Sequence, residues 1–152
     1  MDHVEQLLKA YVEWDYTKAQ NPDTWAGLIA DDIVWHSLPG VVPGLDLTQP
    51  LQGKAAVARY FTALGETWEM VEYKVDHLIA QGERVAMLGK CSWKSRKMGT
   101  VIETAKADFF HFREGKIIEF WEFYDTAKAI AGQFFTLERL TTGMTPGVET
   151  KS

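Results

Sequence analysis

The stretch Val101–Asp125, VIETAKADFFHFREGKIIEFWEFYD, decides the fold. Two long aromatic-rich runs flank a short Gly-containing turn, which is the signature of a β-hairpin. A two-residue loop needs positive φ at both Glu114 and Gly115, and glutamate is poor there. A three-residue loop, Arg113-Glu114-Gly115, needs it only at Gly115. That register sets Lys106 opposite Glu122 and Asp108 opposite Phe120. Asp108, Glu122 and Tyr124 then share a face with Phe110, Phe112 and Ile118. Two carboxylates on an otherwise apolar sheet face are costly unless paired, protonated or useful.

Working outward, Asp2 and Glu5 make a capping pair for a first helix whose apolar face carries Val4, Leu7, Leu8, Tyr11 and Val12. Asn21-Pro22 starts a short second helix, with Asn21 as its cap. That helix buries Trp25, Leu28 and Ile29 and ends at Asp31-Asp32, ahead of a strand over 33–37. Residues 38–52 hold three prolines and two glycines. They read as a long loop of the kind that covers a binding site. Gly53 opens a third helix carrying Val57, Tyr60, Phe61 and Leu64. In a strand over 70–80, Val71, Tyr73, Val75, His77 and Ile79 alternate with charged residues. A strand over 84–94 and the hairpin follow, and Asp125 or Thr126 caps a last short helix. The predicted class is α+β, with helices covering one face of a strongly bent antiparallel sheet. The hairpin is apolar on both faces, with Phe109, Trp121 and Phe123 opposite the Asp108 face. A second subunit is the simplest cover for that outer face, so a homodimer is expected.

At 152 residues the chain suits one domain. Its expected extent is 1–140, with a polar tail over 141–152. A net charge of −5 argues against a nucleic-acid partner, and the basic group Lys90, Lys94, Arg96 and Lys97 reads as a solvated rim. The one cysteine, Cys91, excludes an internal disulfide and reads as a small hydrophobe. No apolar run approaches a transmembrane length, and the first residues lack the features of a secretory signal. The expected setting is cytoplasmic, with no membrane association. His3 and His111 have no partner at metal-ligand spacing, and His77 reads as a core or interface histidine. No zinc or iron motif, phosphate loop, nucleophile elbow or dinucleotide fingerprint is present, so no cofactor is expected.

The strings LIADDIVWHSLPG (28–40), LQGKAAVARYF (51–61) and FREGKIIEFWEFYD (112–125), with the helix spacing, resemble the nuclear transport factor 2-like superfamily. More narrowly they resemble its SnoaL-like polyketide cyclase and ketosteroid isomerase-like branch, over roughly residues 4–132. The resemblance implies a cone whose interior holds a small, mostly apolar ligand. It also implies that Tyr11 and Asp108 match the tyrosine and aspartic acid that bind the oxyanion in the isomerases. The isomerases' general base falls at Ser37, preceded by His36, so that base is missing. Glu122 is the nearest match to the acidic residue of the last strand in the superfamily's cyclases and epoxide hydrolases. The fold hosts many activities, so the resemblance speaks to fold before function.

The candidate catalytic residues are therefore Asp108 as proton donor or oxyanion partner, Tyr11 as its helper, and Glu122 or His36 as base. The rival for the carboxylates is structural: a Lys106–Glu122 ion pair, with Asp108 bonded to a tyrosine or tryptophan. Alternation puts His36 and Ser37 on opposite faces, so only one of them meets the pocket. Trp35, Tyr60, Trp93, Phe110, Phe120 and Tyr124 are the expected lining for a small hydrophobic, ring-containing or carbonyl ligand. Cofactor-free isomerisation, cyclisation or dehydration fits this set. A non-catalytic binding or dimerisation module is the alternative.

Overall fold

A computed structural model describes residues 2–38 and 40–134. The expected domain end at 140 and the tail over 141–152 lie outside the described residues. The element order is α1 (His3–Tyr16), α2 (Asp23–Ala26), β1 (Ile29–Ser37), a 3-10 turn (Asp46–Thr48), β2 (Leu51–Gln52), α3 (Lys54–Thr67), β3 (Trp68–Gln81), β4 (Arg84–Ser95), β5 (Val101–Arg113), β6 (Lys116–Tyr124) and α4 (Thr126–Phe134). The strands form one six-stranded sheet, ordered β2-β1-β6-β5-β4-β3. All neighbours are antiparallel except β1 and β6, which run parallel. The class is α+β, a strongly curved sheet that does not close into a barrel. The main aromatic core fills the space between its concave face and the helices.

Local chemistry accounts for the helix ends. In α1 the Asp2 side chain accepts from the Glu5 amide at 2.8 Å and the Glu5 side chain accepts from the Asp2 amide at 3.2 Å. This reciprocal cap is worth about 1 kcal/mol. The buried stripe of α1 is Leu7, Ala10, Tyr11 and Trp14. Leu8 and Val12, expected inside, are exposed, because the curved sheet meets a narrower band of the helix than the apolar pattern covers. The second helix is shorter than its sequence suggests. Pro22 holds the cap position, and the Asn21 amide turns instead to the Glu13 carboxylate at 3.0 Å. Gly27 closes the helix, and Ile29 enters the sheet opposite Ile117. Helix α4 is capped by Asp125, whose carboxylate accepts from the Lys128 amide at 3.1 Å.

The hairpin turn is tighter than propensity favours. Glu114 and Gly115 both take positive φ, +52° and +77°. Arg113 pairs with Lys116, leaving a two-residue loop of the mirror-image kind that matches strand twist. The register is therefore shifted by two from the expected one: Lys106 faces Tyr124, Asp108 faces Glu122 and Phe110 faces Phe120. A shift of two preserves which face each side chain takes. Asp108 and Glu122 thus do share the concave face, now directly opposite one another. A bulge between His111 and Phe112 turns Ile117 into the core and leaves Ile118, expected inside, only half-buried.

Bulges also explain the failure of strict alternation in β3. Register shifts at Met70/Glu72 and Val75/His77 bend the strand and bring Met70 and Tyr73 inside. Val71, His77 and Ile79 point out. At this bend a Cβ on Gly89 of β4 would stand 2.1 Å from the Lys74 carbonyl oxygen, so only glycine permits the strands to approach. At the far end α4 seats on the sheet through Gly132, where a Cβ would lie 2.7 Å from Ile102 Cγ2. Among the described residues no helix is long and apolar enough to cross a membrane.

Candidate functional site

The concave face encloses a cavity of about 110 Å3. Its floor is polar and its walls are aromatic. The floor is built by β5 and β6, where Lys106, Asp108 and Glu122 point inward side by side. Asp108 and Glu122 are 2% and 6% exposed, so water does not solvate their charge and neighbouring groups must.

Those neighbours come from four other elements. Tyr11 of α1 and Tyr73 of β3 both donate to Asp108 Oδ2, Tyr73 at 3.1 Å. The Ser37 hydroxyl at the end of β1 and the Tyr60 hydroxyl of α3 donate to Glu122 Oε1, Tyr60 at 2.8 Å. The Lys106 ammonium joins the two halves: it bonds Asp108 Oδ1 and reaches Glu122 Oε2 at 2.9 Å. Every oxygen of both carboxylates is thereby bonded. The arrangement is symmetric in donors and asymmetric in electrostatics.

Burial pushes both carboxyl groups up, and Lys106 pulls both down. For Asp108 burial prevails, helped by the charge on Glu122, and the group sits above the usual aspartate range. For Glu122 the Lys106 charge, with the Ser37, Lys106 and Tyr60 hydrogen bonds, outweighs burial and holds the group below its usual range. Burial alone would lower Lys106, but Asp108 and Glu122 hold it well above the ordinary lysine value, so it stays an ammonium. Burial, then the charge on Asp108, raises Tyr11 and Tyr73 well above the phenol range, and burial with Glu122 does the same for Tyr60. Burial and Glu122 push Tyr124 up to about 12. The three tyrosine donors are therefore neutral. Cys91 also lines the cavity, but burial pushes its thiol up to about 11, which leaves it unreactive at neutral pH.

Of the expected lining, Trp35, Tyr60, Trp93, Phe120 and Tyr124 meet the cavity, as do Tyr11, Asp108 and Glu122. Phe110 does not: it lies one layer behind, 3% exposed and packed against Tyr11, Trp25 and Phe120. His36 is also misplaced by the expectation. It points to the convex face and stacks on Trp121 at 3.7 Å, while Ser37 takes the inward position beside Glu122. Parity along β1 allows only one of the two inside, and the parallel pairing of Ser37 with Glu122 decides which. A base role for His36 is thereby removed. Tyr73 and Ser37 are partners that the sequence reading did not assign. The Ser37 alternative was visible from alternation, which also put Tyr73 on the apolar face of its strand but did not disclose its bond to Asp108. Of residues 38–52, Leu45 and Leu47 reach the cavity wall.

A curved sheet with helices over its concave face and a small cavity against the last hairpin defines a class of α+β domains. The chain belongs to the SnoaL-like domain family, whose model matches residues 8–120. No curated protein sequence matches it. Among solved structures it is similar to an NTF2-like protein from Burkholderia thailandensis E264, 24% identical, with a TM-score of 0.72 over 87% of this chain and 98% of that one. It is also similar to a Jannaschia sp. CCS1 protein provisionally named a SnoaL-like polyketide cyclase, 17% identical, with a TM-score of 0.69 over 86% and 90% of the two chains. A third match is a Catenulispora acidiphila DSM 44928 protein with a ketosteroid isomerase-like fold, in complex with trimethylamine. It is 13% identical, with a TM-score of 0.68 over 85% and 95%. At these identities the likeness concerns the fold. The family includes cyclases, isomerases and ligand binders.

Proposed function

We propose that the chain binds a small, ring-containing carbonyl compound in the cavity and moves a proton on it without a cofactor. Asp108 is the proton donor or oxyanion partner and Tyr11 its helper. Glu122 is the base, and Lys106 keeps it ionised. The observation that carries this reading is the pair of facing carboxyl groups whose surroundings drive their proton affinities apart, one up and one down. Such a pair divides the roles of acid and base between two groups of one site. Isomerisation, aldol-type cyclisation and dehydration all need that pair.

Hydrogen exchange at the carbon beside a ring ketone tests it. The wild-type protein in D2O should accelerate exchange of the α-hydrogens of 1-tetralone, followed by NMR. Asp108→Asn should keep binding and reduce the exchange rate by about a hundredfold or more. A second reading, a binding module without chemistry, draws on the fact that every oxygen of both carboxylates is already bonded. Tetralone binding with no accelerated exchange selects that reading.

The same proposal includes a homodimer in the cytoplasm. A free, buried Cys91 suits a reducing compartment. The convex face carries Leu88 and Phe109, 50% and 47% exposed, beside Trp121 and Phe123. A second copy of this face is the simplest cover for so much apolar surface. Light scattering should report a dimer at micromolar concentration, and Trp121→Glu should separate it, because the new charge would be desolvated without a partner.

A further inference from the structure

Among the described residues, one residue of the cavity wall carries a buried polar atom without a hydrogen-bond partner. Among the described residues, the buried side-chain atoms with no hydrogen bond are Gln6 Oε1, Thr17 Oγ1, Thr24 Oγ1 and Trp35 Nε1. Of these four residues only Trp35 lines the cavity, and it is 5% exposed. A buried N–H without an acceptor costs about 1–3 kcal/mol, and an acceptor supplied from outside recovers that loss. The Asp108–Lys106–Glu122 floor has the opposite character, since its carboxylate oxygens are all bonded by neighbouring side chains.

We infer that the Trp35 indole N–H is a second docking point, and that the ligand carries a second hydrogen-bond acceptor at the end of its ring system remote from Asp108. This rests on the proposal above that the first acceptor meets Asp108. Trp35 pairs with Phe120 on β6, while Asp108 pairs with Glu122 from the other side of that strand. The two positions are thus two strand spacings apart across the sheet and one inward-facing step apart along it. Their backbone points lie on the order of 12 Å from each other. Both residues line the cavity, whose volume of about 110 Å3 suits a small ring compound.

The acceptor reaches Nε1 only when an aromatic neighbour turns aside. Tyr60 and Phe61 stand 5.5 and 5.6 Å from the Trp35 ring, and both are only half-buried. Phe120, at 4.0 Å, is 4% exposed and fixed in the core. The Tyr60 hydroxyl is held by Glu122 at 2.8 Å, so Phe61 is the movable side of this pocket. The ligand selected is a neutral ring compound with oxygen functions at opposite ends. A monoketone leaves the indole N–H unpaired.

Two nearly isosteric pairs test the inference: cyclohexanone against 1,4-cyclohexanedione, and 1-decalone against decalin-1,5-dione. Affinities are read by NMR titration of the wild-type protein and of Trp35→Phe, which removes the N–H and keeps an aromatic ring. The dione of at least one pair should bind about tenfold more tightly than its monoketone, the scale of one recovered hydrogen bond. In Trp35→Phe that advantage should shrink to about twofold, whatever the change in monoketone affinity. The Trp35 indole proton, assigned by its loss in the variant, should move downfield with the dione and not with the monoketone. That second readout stands if the variant folds poorly. Equal binding of diones and monoketones, or an advantage that survives Trp35→Phe, overturns the inference and leaves the N–H directed at the face of a neighbouring ring. Lost α-hydrogen exchange with an intact dione advantage removes the acid–base reading alone. No binding of any of the four ketones removes both.

Discussion

Two carboxylates face one another across β5 and β6, and they differ in what a proton gains at each. Asp108 sits where two tyrosines and Lys106 converge; Glu122 sits where a serine, a tyrosine and the same Lys106 converge. The number of donors is equal. The difference lies in the direction of displacement. Lys106 and the hydrogen bonds hold Glu122 below its usual range, and the charge on Glu122 adds to burial in holding Asp108 above its own. One cation shared by two buried anions cannot neutralise both, so the pair titrates as a coupled unit with its members driven apart. Two carboxyl groups on one sheet face are therefore displaced in opposite directions around a single lysine.

Removing the shared cation breaks this comparison most severely. Lys106→Met leaves two facing carboxyl groups with no charge to balance them. Stability in urea at pH 7 should fall by about 3–5 kcal/mol. Both carboxyl groups should then resist ionisation, and the asymmetry between them should diminish.

Glu122→Gln comes next. The folded state binds a proton at Glu122 more weakly than the unfolded chain does. Its ionised form therefore contributes stability above the ordinary glutamate value of 4.5, and the contribution is lost as pH falls through the depressed folded value. The variant should be about 2 kcal/mol less stable than wild type at pH 7. Thermal denaturation below pH 4.5 should show the gap closing.

The smallest effect is expected for Asp108→Asn, and its pH trend is reversed. Asp108 holds its proton more tightly in the folded state, so its contribution is full below the ordinary aspartate value of 3.8 and is lost as pH rises through the raised folded value. Asparagine, which does not titrate, escapes that loss. Stability at pH 7 should change by less than about 1 kcal/mol. Relative to wild type the variant should improve as pH rises from acid to neutral. A large loss at neutral pH would erase the contrast with Glu122.

Most of the fold, and the face shared by the carboxylates, was legible because parity is robust. The turn adopted positive φ at Glu114 against its propensity, so the expected pairing was off by two residues, yet no side chain of β5 changed face. Where a bulge supplied an odd step, parity failed: Ile117 replaced Ile118 inside, and Val71, His77 and Ile79 of the bent β3 turned out. Bulges depend on how the whole sheet bends, which neighbouring residues do not encode. The sharing of Lys106 was likewise hidden. The expected register offered it to Glu122 alone, whereas the true one leaves its long side chain free to reach both carboxylates. The position of His36 turned on a single parity choice, and only the pairing of β1 with β6 made it.

The central claim is the opposite displacement of two facing carboxyl groups, and carbon-13 NMR titration of their side-chain carboxyl signals tests it most directly. The prediction is that Asp108 titrates above the ordinary aspartate value of 3.8 while Glu122 titrates below the ordinary glutamate value of 4.5. Asp108 ionising at or below its ordinary value, or Glu122 ionising at or above its own, would contradict it.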